Sequence, residues 1–242
     1  LLGTIVRWYH HALGHVGASR LADTIGMHFY HPNLHSKCRG EVSKCDPCQR
    51  FKNVGRGHGD TAAREAALLP WSEVAVDLIG PWNLSIGPHK LSFQALTIID
   101  VVTNLTEIVR IDDKTSAHVA MHFENTWLAR YPRPLHCTYD QGGEFVGFAF
   151  QSLLRRHNIQ PHPTSSKNPQ ANAICERMHQ CVGNSLRVLS TLHPPDGIVT
   201  AAQLVDTAIA NTIYAIRCTY SSALKTTPGG LAFGRDMVLD LP

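Results

Sequence analysis

Cys45 and Cys48 form a Cys-x2-Cys pair within KCDPCQRFK, and His11 and His15 lie upstream, with 29 residues between His15 and Cys45. A segment of some fifty residues cannot close a large apolar core, so a bound metal is a natural staple for it. Successive helical residues turn by about 100°, which puts residues four apart about 40° from eclipsed. His11 and His15 can therefore present both imidazoles from one helix face. Two thiolates from the tight Cys45–Cys48 turn complete a closed tetrahedral Zn²⁺ site of the structural kind. His10 competes with His11, but five residues from His15 it points about 140° away on an ideal helix. His28, His31, His35 and Cys38 are further spares. Leu13, Val16, Leu21 and Ile25 supply a small core for the metal to close. The opposing reading, an accidental Cys-x2-Cys among surface histidines, is disfavoured because this spacing is seldom accidental in an intracellular chain.

The rest of the composition narrows the class. At 43% hydrophobic and 17% charged, the 242 residues read as globular, not disordered. The net charge of +3 is compatible with nucleic acid without establishing it. Residues 1–60 carry eight Lys/Arg against four Asp/Glu and hold seven of the fifteen His, so basicity and metal ligands concentrate there. Seven cysteines, an odd number without a secretory signal, argue against a disulfide framework and for a reducing compartment. No apolar run approaches the roughly 20 residues of a membrane span, and no membrane partner is expected. The chain opens at Leu1, with its first Met at 27, and reads as a processed piece of a longer polyprotein.

Residues 53–70, rich in Gly and Ala, suit a linker. Beyond Trp71 the pattern changes to short β-branched runs. Segments 72–80, 90–100 and 105–111 read as three strands, 134–140 as a fourth and 159–163 as a fifth. Helices are expected over 116–131, ended by Tyr131-Pro132, over 144–158, from Ala173 to about Leu192, and from Thr200 to about Tyr220. The segment 164–172 reads as a polar loop. Three strands followed by alternating helices and strands make a mixed α/β domain.

Three acids stand out by position. Asp77 lies in the first strand, Asp140 ends the fourth, and Glu176 opens the long helix. Singly, each is an ordinary exposed or capping residue. Together they suit hard divalent ions, which prefer carboxylate oxygens. Two such ions activate a nucleophilic oxygen and stabilise the leaving oxygen of an in-line phosphoryl displacement. If the first and fourth strands are neighbours, Asp77 and Asp140 can share one metal, and Glu176 completes the second site. Asp100 is a rival at the end of the second strand. Asp112, Asp113, Asp196 and Asp206 read as surface groups or caps. Glu144 is either a carboxylate near the metal or compensation for a helix dipole. On the long helix Glu176, Gln180, Gly183 and Arg187 share one face, flanked by Arg177, with Lys167 in the preceding loop. Lys167, Arg177, Gln180 and Arg187 are the candidate DNA contacts, mainly to phosphate.

These motifs resemble those of retroviral and gypsy-type LTR-retrotransposon integrases. LGHVG at 13–17 and KCDPCQRFK at 44–52 are similar to the family's N-terminal zinc domain. VDLIGP at 76–81, YDQGGEF at 139–145 and NPQANAICER at 168–177 resemble the three acidic motifs of its core, with 35 residues between Asp140 and Glu176. TTPGGLAFGR at 226–235 resembles the segment that follows the core. The chain departs from the family at His31-Pro32, where many relatives have Trp-Pro, and at Ala173-Ile174, where many have Gly-Gln.

The resemblance implies an RNase H-like mixed five-stranded sheet flanked by helices, preceded by a small helical His-His-Cys-Cys zinc domain. It divides the chain into a zinc domain over 1–52, a linker over 53–70, a catalytic core over 71–225 and the start of a C-terminal extension over 226–242. It implies one structural Zn²⁺ on His11, His15, Cys45 and Cys48, and two Mg²⁺ or Mn²⁺ on Asp77, Asp140 and Glu176. It implies an enzyme that trims element DNA ends and joins them to target DNA, works as a homo-oligomer on double-stranded DNA, and acts in the nucleus after a cytoplasmic particle stage. A module that binds DNA or protein without catalysis is the alternative, and the intact acids and zinc ligands weigh against it.

Overall fold

The structure, a computed structural model, describes residues 1–52, 69–86, 89–164 and 169–238, with side chains described except at 86, 89 and 169–179. Four helices open the chain: α1 (Leu2–Ala12), α2 (Ala18–Gly26), α3 (Leu34–Lys44) and α4 (Asp46–Phe51). Strands β1 (Glu73–Ile86), β2 (His89–Asp100) and β3 (Thr106–Ile111) follow. Helix α5 (Ser116–Phe123) runs into a π-turn at Glu124–Leu128 and leads to β4 (His136–Tyr139). Short helices α6 (Gly143–Val146) and α7 (Phe148–Arg156) precede β5 (Gln160–Pro163). The chain then enters α8 (Pro169–Leu192), α9 (Ile198–Cys218) and α10 (Pro228–Phe233). No helix among the described residues is long and apolar enough to cross a membrane.

Two compact units emerge. One comprises Leu1–Gly55, Val182–Pro195 and Gln203–Pro242, the other Arg56–Cys181 and Asp196–Ala202. These units cut across the sequence segments, because parts of α8 and α9 go with the N-terminal helices. In that first unit, Val6, Tyr9 and Leu13 recur at helical spacing along α1 and are buried with Leu21, Ala22, Ile25, Leu34 and Cys38. Val16 packs at the edge of this cluster. The core is completed from far along the chain by Cys218 and Val238, with Met237 against it. Tyr220 N–H donates to Thr24 Oγ1 at 3.0 Å, and His28 Nε2 meets Asp236 Oδ2 at 2.8 Å.

The second unit is built on a five-stranded sheet of order β3-β2-β1-β4-β5. The first three strands are antiparallel, while β1–β4 and β4–β5 are parallel, as in a mixed α/β sheet. Alternation along each strand sends Val74, Val76, Leu96, Ile98, Cys137 and Tyr139 into one apolar layer. Val119 and Phe123 of α5, Trp127 of the π-turn, and Phe150, Leu153 and Leu154 of α7 cover that layer. The expected five strands are present. β1 runs on to Ile86, beyond the expected 72–80, because 82–86 pairs with 89–93 across a register shift between Ile79 and Trp82. The helix expected over 144–158 breaks at Gly147, which is extended at φ −64°, ψ 154°. A Cβ there would meet the Ser116 side chain at 2.5 Å, and Ser116 Oγ instead accepts from Phe150 N–H at 3.0 Å.

Candidate functional sites

The metal site is assembled where α1 ends. Leu13 closes the helix, and Gly14 and His15 both adopt φ of 62°. Two successive left-handed residues turn the chain back, so His15 N–H donates to the His10 carbonyl at 2.7 Å. His15 is therefore not a helical residue, and spacing on an ideal helix does not apply to it. This corrects the ligand set: His10, 1% exposed, joins His15, Cys45 and Cys48, whereas His11 is exposed and outside the group. The donor atoms of these four lie within 4.8 Å of one another, the sole such group among the described residues.

The spacings test the fit of a metal. His10 Nε2 and His15 Nδ1 are 3.2 Å apart, His15 Nδ1 and Cys45 Sγ 3.2 Å, Cys48 Sγ and His10 Nε2 3.4 Å, and Cys48 Sγ and His15 Nδ1 3.7 Å. A tetrahedral Zn²⁺ with ordinary bond lengths has edges of about 3.3 Å between nitrogens and about 3.6 Å between nitrogen and sulfur. The four side chains thus fit a closed zinc site. His10 Nδ1 lies 3.1 Å from the Val16 carbonyl, which fixes the tautomer and leaves Nε2 as a lone-pair donor. Burial first, then the neighbouring Lys52 and His11, lowers His10 to about 4. Burial first, then the neighbouring histidines, does the same to His15. Both rings are neutral ligands at neutral pH. Burial raises the Cys48 thiol to about 11, so a bound cation is what would draw off its proton.

Cys45 sits between α3 and α4 at φ −75°, ψ 104°, and Pro47 lies in the first turn of the next helix, which carries Cys48. Lys52 Nζ donates to the His15 carbonyl, a contact that sequence reasoning missed. The spare ligands are engaged elsewhere: His28 with Asp236, His31 Nδ1 with Asn33 N–H, and His35 3.9 Å from Asp23, while Cys38 is buried in the apolar core.

The acids belong to the second unit. β1 and β4 are parallel neighbours with Ala75 opposite Thr138. Two residues further, the same register sets Asp140, just past β4, beside the half-buried Asp77 on the same face. That face is shared in fact as well as in register, since Thr138 Oγ1 donates to Glu73 Oε1 at 2.7 Å. The Asp77 backbone is held by Thr97 Oγ1, which donates to its carbonyl at 3.0 Å. Asp140 is exposed and accepts from Gly142 N–H at 3.0 Å. A Cβ on Gly142 would lie 2.9 Å from both Asp140 Oδ1 and Glu144 Oε1, so glycine at 142 allows these two carboxyl groups to approach each other. The β1–β4 register thus carries Asp77 and Asp140 onto one face, with Glu144 close to Asp140.

Asp100 does not compete. It is 0% exposed, and its oxygens accept from Trp71 N–H at 3.0 Å, Thr103 N–H at 2.9 Å and Thr103 Oγ1 at 2.6 Å. Asp113 caps Thr115, and Asp196 accepts from Thr200. Lys167 and the side chains of Glu176 and Arg177 lie outside the described residues. Gln180 is exposed. Arg187 has a role within the protein: Nε donates to the Phe51 carbonyl at 2.9 Å, and a second nitrogen meets Asn184 Oδ1 at 2.5 Å. Its guanidinium caps the last turn of α4, in the same unit.

Residues 1–54 match the family described as Integrase zinc binding domain, and residues 84–169 the family described as Integrase core domain. The chain is 22% identical over 222 residues to the Retrovirus-related Pol polyprotein from transposon 412 of Drosophila melanogaster, covering 92% of this chain and 17% of that protein. It is 27% identical over 163 residues to Gypsy retrotransposon integrase-like protein 1 of Homo sapiens, covering 64% of this chain and 30% of that protein. It therefore spans less than a third of the length of these relatives. Among solved structures, the simian T-cell lymphotropic virus intasome in complex with PP2A regulatory subunit B56 gamma aligns with a TM-score of 0.59 at 16% identity, over 98% of this chain and 77% of that one. The HTLV-2 integrase catalytic core domain in complex with magnesium aligns with a TM-score of 0.54 at 16% identity, over 69% of this chain and 99% of that one. At such identity these likenesses speak to the fold.

Proposed function

The chain belongs to the retroviral and gypsy-type LTR-retrotransposon integrase family, and from that premise we propose that it trims the 3′ ends of element DNA and transfers them into target DNA. The observation that carries this reading is the placing of Asp77 and Asp140 on one face of adjacent parallel strands. With Glu176 they form the triad that holds two Mg²⁺ or Mn²⁺. Bound there, the cations supply activation of the attacking oxygen and stabilisation of the leaving oxygen. The chain's own part is to fix the carboxylates. The sheet ladder sets Asp77 in register with Thr97, and the Gly142 N–H turns the Asp140 carboxylate. No covalent enzyme intermediate is needed, so no serine, cysteine or tyrosine nucleophile is assigned.

Lys167, Arg177 and Gln180 hold DNA by phosphate, with the zinc module supporting the assembly. Two ends joined to one target require two active sites, which calls for a homo-oligomer on double-stranded DNA. The reaction belongs in the nucleus, after a cytoplasmic particle stage. The test is an end-joining assay with a blunt duplex carrying the element's terminal sequence, Mg²⁺ or Mn²⁺ and a supercoiled target. Asp77→Asn, Asp140→Asn and Glu176→Gln each keep side-chain shape and remove the charge that binds a hard cation. All three should fold, keep zinc and lose both trimming and joining. Joining at the parental rate by folded Asp140→Asn protein would overturn the assignment.

A further inference from the structure

We propose that His118 and His122 of α5 form a second, separate site for a borderline divalent cation such as Zn²⁺, Ni²⁺ or Cu²⁺, unrelated to the zinc module and to the acidic pair. The two residues stand four apart on one helix, so their side chains lie on the same stripe. Their Nε2 atoms are 3.1 Å apart and their ring centroids 4.5 Å. That nitrogen separation matches the 3.2 Å between His10 Nε2 and His15 Nδ1 in the zinc module. It is also close to the nitrogen–nitrogen edge of about 3.3 Å in a tetrahedral Zn²⁺ site. Both rings are half-buried at the solvent edge of a helix whose Val119 and Phe123 face the core, so the pair is rigidly based yet open to a cation.

The donor chemistry selects the metal. Two imidazoles suit Zn²⁺, Ni²⁺ and Cu²⁺, whereas Mg²⁺ prefers oxygen and keeps its water. The other positions around a cation chelated by the two rings are left to water. Asp113 is committed to capping Thr115 and is not available. The opposing arrangement is a single N–H···N hydrogen bond between the rings, which uses the same distance and binds no metal.

Calorimetric titration of the full chain, with its tight zinc already in place, distinguishes the two. Zn²⁺ added to the wild type should give a second, weaker binding event. Both His118→Ala and His122→Ala should abolish that event and leave the first zinc in place. Alanine is a strong helix former at these positions, so the variants are expected to fold. Cu²⁺ should bind this site more tightly than Zn²⁺, and Mg²⁺ should not compete. Absence of a second event in the wild type overturns the proposal. So does its survival in either single variant, since a chelate needs both rings.

Discussion

His10 and His11 are neighbours in sequence and differ entirely in setting. His10 follows Val6 and Tyr9 on the buried side of α1 and is fixed through Nδ1 by the Val16 carbonyl, while His11 faces solvent. His10→Ala should release zinc and His11→Ala should retain it, as read by metal content after dialysis. Zinc retained by His10→Ala would mean that His11 is the ligand after all. The misassignment has a definite cause. Helical phase was applied across Gly14 and His15, whose positive φ values take the chain off the helix. LGHVG contains the glycine that permits the first of these, but nothing in the residue types shows that a histidine adopts the second. The positions of Asp77 within a strand and of Asp140 at a strand end are legible from the residue pattern, but their pairing needs β1 and β4 to be neighbours, and Asp100 is set apart from them by its hydrogen bonds. Asp100→Asn loses a charged acceptor of three such bonds and should cost about 2 kcal/mol of stability. The acidic pair should be untouched, so a lowered thermal midpoint with joining retained is the expected result. Loss of joining in a protein of unchanged stability would return Asp100 to the active site.

Elements were legible where local pattern dominates and obscure where a distant contact decides. The apolar, β-branched runs of β1 to β4 place those strands, whereas the exposed β5 shows no such alternation and the parallel pairing of β1 with β4, left open by the sequence, is set by the fold. The break at Gly147 is different. Segment 144–158 has helical apolar spacing throughout, yet the chain turns extended at Gly147, where Ser116 of another element sits against the backbone and accepts from Phe150 N–H. Arg187 teaches the same lesson on α8. Its phase with Gln180 suggested a phosphate contact, but its guanidinium spans 136 residues of sequence to the Phe51 carbonyl. Arg187→Ala should leave the end of α4 without this cap, at about 1–2 kcal/mol for a charge-assisted bond that is only half-buried. Faster zinc release to a chelator is the expected readout. An unchanged release rate, together with a flatter salt dependence of DNA binding, would restore Arg187 to the DNA face.

At the scale of the whole molecule, the zinc-bearing unit does not end with its zinc ligands. Its apolar cluster takes in Cys218 and Val238, with Met237 packed alongside, and Gly229 lies so close to Met237 that a Cβ would meet its sulfur at 2.2 Å. Thr227 caps α10 by accepting from Gly230 N–H at 3.0 Å, and Gly234 ends that helix at φ 69°. The TTPGGLAFGR segment is thus a folded clasp whose following residues plug the core beside α1 and α2. A metal staple alone would leave that core open on one side. Removing residues 226–242 exposes the surface under Val238 and part of that under Met237. A fully buried side chain of this size contributes about 1.5–3 kcal/mol, so the two together account for about 2–4 kcal/mol. The truncated chain should still bind zinc, because all four ligands remain, but it should release it to a chelator faster and melt at a lower temperature. Restoring only 226–238 should recover both properties. Equal zinc-release rates in the full and truncated chains would show that the metal and the first four helices suffice by themselves, and that the clasp adds nothing to their stability.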